Sequence, residues 1–135
     1  MAETFAFEIV TPERLVASGS AEEMQIPGKN GYLGILPGHA PLITELAVGE
    51  ITYRAAQRSE HLAVAWGFAE VLPNKVTILA ETAERAAEID VQRAERARER
   101  AERRLHEASQ ETDFQRAQIA LERAVIRIQV AGKRS

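Results

Sequence analysis

Residues 84–108 read Glu84-Arg85-Ala86-Ala87-Glu88-Ile89-Asp90-Val91-Gln92-Arg93-Ala94-Glu95-Arg96-Ala97-Arg98-Glu99-Arg100-Ala101-Glu102-Arg103-Arg104-Leu105-His106-Glu107-Ala108. The stretch holds neither glycine nor proline and consists almost wholly of strong helix formers, so it is predicted to be a helix. Thr82 is a plausible N-cap for it. Ala83, Ala87, Asp90, Ala94, Ala97, Ala101, Leu105 and Ala108 recur at spacings of three and four and share one seam. A seam of alanines allows close approach but buries little area. Asp90 is its odd member, because a carboxylate on a packing seam costs free energy unless it is paired or hydrogen-bonded. Alternatively, Asp90 caps a helix that starts there, with Ala83 to Glu88 as a linker.

Glycine and proline divide the chain at this point. All five prolines, and every glycine except Gly132, precede Asn74. The region before it punctuates like β structure and the region after it like helix. Alternation predicts strands at 5–10, 15–18, 22–26, 32–36, 40–46, 51–55, 61–65, 68–72 and 76–80, with Lys29-Asn30-Gly31 and Pro73-Asn74 as turns. Strands of this length and spacing point to an antiparallel β-sandwich or flattened barrel over residues 1–81. Residues 82–135 follow as an antiparallel α-helical hairpin. In its second helix Phe114, Ala117, Leu121, Ala124, Ile128 and Ala131 form a more apolar seam than the first helix has. Thr112 and Gln115 fit a capping box at its start.

The net charge of −3 conceals an asymmetry. Through Glu81 there are five basic and ten acidic residues; from Thr82 onward, twelve basic and ten acidic. The acidic first part argues against a nucleic-acid binder, whose footprint would be a basic patch on the folded body. The chain has no cysteine, which excludes disulfides and thiolate metal sites. No apolar run approaches the roughly 20 residues that cross a bilayer, and the N-terminus lacks the regions of a signal peptide. A soluble, cytosolic chain that meets a membrane only through a partner is expected.

No catalytic constellation stands out. His39, His61 and His106 share no metal-ligand spacing, and no metal is expected. Arg123 and Arg127 lie four apart on one helix face, where they can clamp a polyanion or remain solvated. Arg93, Arg96, Arg98, Arg100, Arg103 and Arg104 interleave with Glu95, Glu99 and Glu102, the pattern of a salt-bridged exposed helix.

Gly31-Tyr32-Leu33-Gly34-Ile35-Leu36-Pro37-Gly38-His39-Ala40-Pro41-Leu42 closely resembles the Gly-x-Leu-Gly-Ile-x-Pro-Gly-His-x-Pro-Leu signature of the epsilon subunit of F-type ATP synthases. Trp66-Gly67-Phe68-Ala69-Glu70-Val71 and Asn74-Lys75-Val76-Thr77-Ile78-Leu79-Ala80 are similar to later strands of that family. The resemblance implies an antiparallel β-sandwich of about ten strands followed by an α-helical hairpin, mounted on the rotor beside the gamma subunit and the ring of c subunits. It implies no active site. It also implies that the hairpin can extend to the alpha/beta catalytic head and restrain ATP hydrolysis, with Arg96, Arg98, Arg103 and Arg104 as its basic face. Tyr32 and His39 are the expected rotor contacts, Tyr32 standing where relatives often carry an acid. The expected location is the cytoplasmic face of a bacterial inner membrane, reached through the complex.

The family's ATP-binding pattern, Ile/Leu-Asp-x-x-Arg-Ala, stands complete as Ile89-Asp90-Val91-Gln92-Arg93-Ala94. ATP is thus expected as a regulatory ligand, not a substrate, held by Ile89, Asp90, Arg93 and Ala94 with Arg100, Arg123 and Arg127. A free-standing ATP sensor and a coiled-coil adaptor are the alternative readings.

Overall fold

Phe5, Phe7 and Ile9 alternate with outward residues, so the first strand, β1 (Phe5–Val10), turns one apolar row into a core. The same rule builds β2 (Leu15–Ala21), β3 (Glu23–Gly28), β4 (Gly31–Ile35), β5 (Leu42–Glu45), β6 (Gly49–Ala55), β7 (Arg58–Val71) and β8 (Lys75–Arg85). The chain then makes a single 3-10 turn (Ala86–Glu88) and two helices, α1 (Val91–Glu107) and α2 (Glu111–Ala131). The structure, a computed structural model, describes residues 3–134.

Seven strands follow one path, β2-β1-β8-β7-β6-β3-β4, and β5 pairs with β7. All pairings are antiparallel except β1 with β8. The sheet wraps round a core of Phe5, Phe7, Ile9, Met24, Ile26, Ile51, Tyr53, Val64, Val71 and Ile78, in which the Phe7 and Tyr53 ring centroids lie 4.5 Å apart. Sandwich plus helical hairpin is the architecture that the sequence pattern implies.

Three details differ from the sequence-based reading. Residues 61–65 and 68–72 are one strand, not two, so the nine strands expected from the pattern become eight, against the ten or so that the resemblance implies. The interruption between them is a kink in which Trp66 takes φ 56° and Gly67 φ 115°, with the register to β8 unchanged across it. A Cβ on Gly67 would stand 1.9 Å from the Leu79 carbonyl oxygen, so only glycine fits. Second, β8 runs past residue 81 to Arg85, with Ala65↔Thr82, Val64↔Ala83, Ala63↔Glu84 and Leu62↔Arg85 in register. The long first half of β7 offers these residues a ladder, and ladder hydrogen bonds override helix propensity. Ala83 and Ala87 are therefore not on a helix seam. The helix begins at Val91, and Asp90 caps it by accepting the Arg93 N–H at 3.1 Å. Third, α2 begins at Glu111, which places Thr112 inside its first turn; its N-cap, Gln110, makes no side-chain cap.

Every buried residue of the main core belongs to the sandwich. A chain ending at Glu88 is therefore expected to keep a cooperative β-type thermal transition by circular dichroism. A chain ending at Glu81 loses the Thr82–Arg85 pairing and should melt lower by at least about 4 °C, the shift per kcal/mol in a domain of this size.

Candidate functional site

The hairpin lies on the outer face of the sheet where β6, β7 and the end of β8 run side by side. On that face β7 contributes Ala63 and Ala65, small enough to leave a flat bed. Helix α2 rests there, and α1 packs against α2 rather than on the strands. The α1–α2 contact buries Ala94 and Ala101 against Ala117 and Ala124, as the alanine seam predicts. At the far end Ile89, Ala63, Ala86, Val130 and Ala131 make a small second apolar cluster.

The remaining anchors are polar. Glu50 on β6 is only 5 % exposed. It accepts hydrogen bonds from Lys133 Nζ (2.9 Å to each oxygen), Gln129 Nε2 (2.9 Å) and Thr52 Oγ1 (3.0 Å), and His61 Nδ1 lies 2.8 Å away. Burial by itself pushes this carboxyl up, but the hydrogen bonds from Lys133, Gln129, His61 and Thr52 outweigh it and hold the group below its ordinary 4.5. Arg127 grips Glu84 with two bonds, Nε to Oε1 at 2.7 Å and Nη2 to Oε2 at 3.2 Å. The Arg123 guanidinium lies 5.3 Å from the centroid of Trp66, a cation–π distance. Arg134 Nη2 donates to the Ile89 carbonyl at 2.9 Å. On the sandwich side, Arg14 pairs with Glu88 at 2.8 Å, which holds that carboxyl below its usual range.

Between bed and hairpin a cavity of about 490 Å³ opens, lined by Val64, Thr82, Ala97, Ala124, Arg123 and Arg127 among others. The structure thus brings Arg123 and Arg127 to one space. It does not bring the other predicted ligands there. Ile89 is 3 % exposed beneath the end of α2, Ala94 is spent in the helix–helix contact, and Arg93 and Arg100 are exposed on α1. Each of the remaining groups already has a partner within the chain: Asp90 has its cap, Arg127 has Glu84, and Arg123 has Trp66. Arg96, Arg103 and Arg104 are exposed, and Arg98 lies 3.5 Å from Glu102 one turn on. Among the described residues no cluster of His, Asp or Glu is placed to hold a metal ion, and no helix is long and apolar enough to cross a membrane.

Elsewhere on the sandwich, Tyr32 is 52 % exposed, yet its hydroxyl accepts the Glu50 backbone N–H at 3.0 Å. His39 is half-buried in the β4–β5 loop, its Nδ1 2.7 Å from the Ala40 carbonyl oxygen. An apolar stripe crosses four strands in register: Leu15 beside Val10, Val10 beside Leu79, Leu79 beside Phe68. Leu15, Leu79 and Phe68 are each about half exposed. Sequence reasoning passed over this stripe, Glu50, Glu84 and Lys133. One signal was available: in Leu62-Ala63-Val64-Ala65 both alternating rows are apolar, the mark of a strand covered on both faces.

A family model described as the beta-sandwich domain of the ATP synthase delta/epsilon chain matches residues 4–86, and the long alpha-helix domain of the same chain matches residues 87–132. The chain belongs to the ATP synthase delta/epsilon chain family. The family's own division falls at the 3-10 turn, beside the end of β8. The ATP synthase epsilon chain of Syntrophobacter fumaroxidans is 53 % identical over 133 residues, 98 % of this chain and 99 % of that one. That of Koribacter versatilis is 68 % identical over 111 residues, covering 82 % and 78 %. A chain in the Euglena gracilis mitochondrial ATP synthase (OSCP/F1/c-ring) shares the fold at TM-score 0.81 and 21 % identity, over 95 % of this chain and 81 % of that one.

The Glu50 cluster makes the stability of this epsilon-type chain sensitive to acid. A carboxyl held below its unfolded value contributes stability that is complete above that value and is lost as the pH falls through the lower folded one. Stability should therefore fall as the pH drops below the ordinary 4.5 of Glu50. Trp66 fluorescence followed from about pH 7 to about pH 3 checks this, and Glu50→Gln should lack that part of the titration.

Proposed function

We propose that the chain is the central-stalk subunit of a bacterial F-type ATP synthase, joining the gamma subunit to the c ring, with no chemistry of its own. The observation that carries this reading is the Leu15–Val10–Leu79–Phe68 stripe. Exposed apolar rows of this kind on a sheet mark protein–protein contact. It lies on β1, β2 and the far halves of β7 and β8, clear of the hairpin, and suits a gamma-type partner. Tyr32, His39 and the exposed Leu36 and Ile43 lie around β4 and β5 and suit the c ring. Such a chain works at the cytoplasmic face of the bacterial membrane without entering the bilayer. Leu79→Glu should abolish co-purification with the gamma subunit while leaving the thermal transition within a few degrees of the parent. Undiminished co-purification would count against the reading and favour a free-standing protein.

The hairpin is the regulatory part of this proposal. Docked by a handful of polar anchors, it can lift, and the exposed Arg96, Arg103 and Arg104, with the half-buried Arg98, then reach acidic surface on the alpha/beta head and restrain hydrolysis. ATP as a regulatory ligand is favoured by the cavity that Arg123 and Arg127 line, whose size suits a small ligand. Phosphate has to take Glu84's place on Arg127. For Ile89, Asp90, Arg93, Ala94 and Arg100 to join the site, the start of α1 has to move toward it. Calorimetry on the full chain should show ATP binding, weakened about ten- to a hundredfold by Arg123→Ala or Arg127→Ala, the equivalent of one charge-assisted contact. Absence of binding at millimolar ATP would leave the Ile89–Ala94 pattern as a helix cap only.

A further inference from the structure

Glu50 differs from every other carboxylate of the described chain in being almost fully buried while its donors come from both the sheet and the hairpin. Thr52 and His61 belong to β6 and β7 and stay with it whatever the hairpin does. Gln129 and Lys133 come from the end of α2 and leave with the hairpin. These two are four residues apart and so project from one side of the helix. The helix end is wound firmly enough to hold them. Gly132 closes it with its N–H on Ile128 and Val130, and the Lys133 N–H continues the turn onto the Val130 carbonyl at 2.9 Å.

The other attachments of the hairpin are weaker or less exclusive. The Glu84 carboxylate is 34 % exposed, against 6 % for that of Glu50, so water reaches it more readily, although Lys133 at 42 % is itself more exposed than Arg127 at 24 %. The apolar cluster is three alanines, one valine and one isoleucine. Since α1 packs against α2, whatever frees the end of α2 frees the hairpin.

Glu50 is also tied in the opposite direction. Pairing of β3 with β6 ends at Gln25↔Thr52, and beyond that point the Tyr32 hydroxyl takes the Glu50 N–H in place of a strand carbonyl. Gly49 makes the room: a Cβ there would meet the Tyr32 hydroxyl at 2.7 Å and Pro27 Cβ at 2.5 Å. One end of Tyr32 thus holds the backbone of Glu50, while its ring is open to a partner at the β3–β4 end of the sandwich.

We infer that Glu50 is the latch of the hairpin, closed by Lys133 and Gln129, and that Tyr32 is the positioning residue that links this latch to the exposed β3–β4 surface. A partner that tilts the Tyr32 ring moves the Glu50 backbone and loosens Lys133. That last step rests on the rotor reading above, whereas latching within the chain does not.

The test uses the isolated full chain, so its failure is separable from any failure to bind a stalk partner. Trp66 is the sole tryptophan and sits under Arg123, so its emission and its quenching by acrylamide report docking. A urea series brings rare opening into range. Glu50→Gln is expected to raise the undocked-to-docked ratio about ten- to a hundredfold, as loss of a buried charge-assisted contact does. Lys133→Met, at a more exposed side chain, is expected to do the same and carries the test if Glu50→Gln fails to fold. The double variant should be no more open than the worse single one, since both remove one interaction. Tyr32→Phe should open the hairpin about three- to tenfold, the effect of one neutral hydrogen bond. Parental Trp66 behaviour in both Glu50→Gln and Lys133→Met, or additive effects in the double variant, would overturn the latch. Parental behaviour in Tyr32→Phe would overturn the positioning role of Tyr32.

Discussion

The kink at Trp66-Gly67 is the constraint on which both faces of the molecule depend. Gly67 lies against the Leu79 carbonyl with no room for a side chain, and β7 changes partner there, from β6 before the kink to β5 after it. Before the kink, the outward row is Ala63 and Ala65, low enough for a helix to lie on. After it, the outward row opens with Phe68, which belongs to the apolar stripe. The register with β8 is unbroken across the kink, but the alternation of inward and outward residues switches there, so one strand carries both the hairpin bed and the candidate partner surface. Trp66, at positive φ in the kink, takes the Arg123 guanidinium.

The fold was largely legible because its signals are local. The Phe5-Phe7-Ile9 alternation, the Pro73-Asn74 turn and the absence of breakers after Asn74 each specify their own element. The start of α1 was legible only as a choice between Thr82 and Asp90. What decides it is non-local: Thr82 to Arg85 are helix-compatible, but the long β7 offers them a ladder, and Asp90 is then the first good cap beyond it. The site was less legible for the same reason. The i, i+4 spacing placed Arg123 and Arg127 on one face correctly. Their partners Trp66 and Glu84 lie in strands far away in sequence, and no spacing rule connects them. Glu50 reads as an ordinary solvated strand residue until α2 is laid over it.

The hairpin is held in a way that suits reversible docking. An interface of leucines would exchange little with water and would bind the hairpin permanently. Here the apolar part is small, and most of the specificity lies in groups that water could satisfy if the hairpin lifted. Arginine and lysine heads would rehydrate readily on leaving, and Thr52 and His61, which belong to the sheet, would remain beside Glu50. Opening would then leave no charge stranded in an apolar bed.

The two seams of the hairpin then differ in kind, which orders their opening. Separating α1 from α2 exposes Ala94, Ala101, Ala117 and Ala124, all fully buried and all bearing a single methyl. At about 0.8 kcal/mol per buried carbon that contact is worth roughly 3 kcal/mol, before side-chain packing at its edges is added. Among the described residues no ion pair joins the two helices. Lifting α2 would have to break the Glu50 cluster, the Glu84–Arg127 pair and the Arg123–Trp66 contact together. Detaching α1 alone would therefore leave the Glu50 cluster intact, whereas detaching α2 would break it.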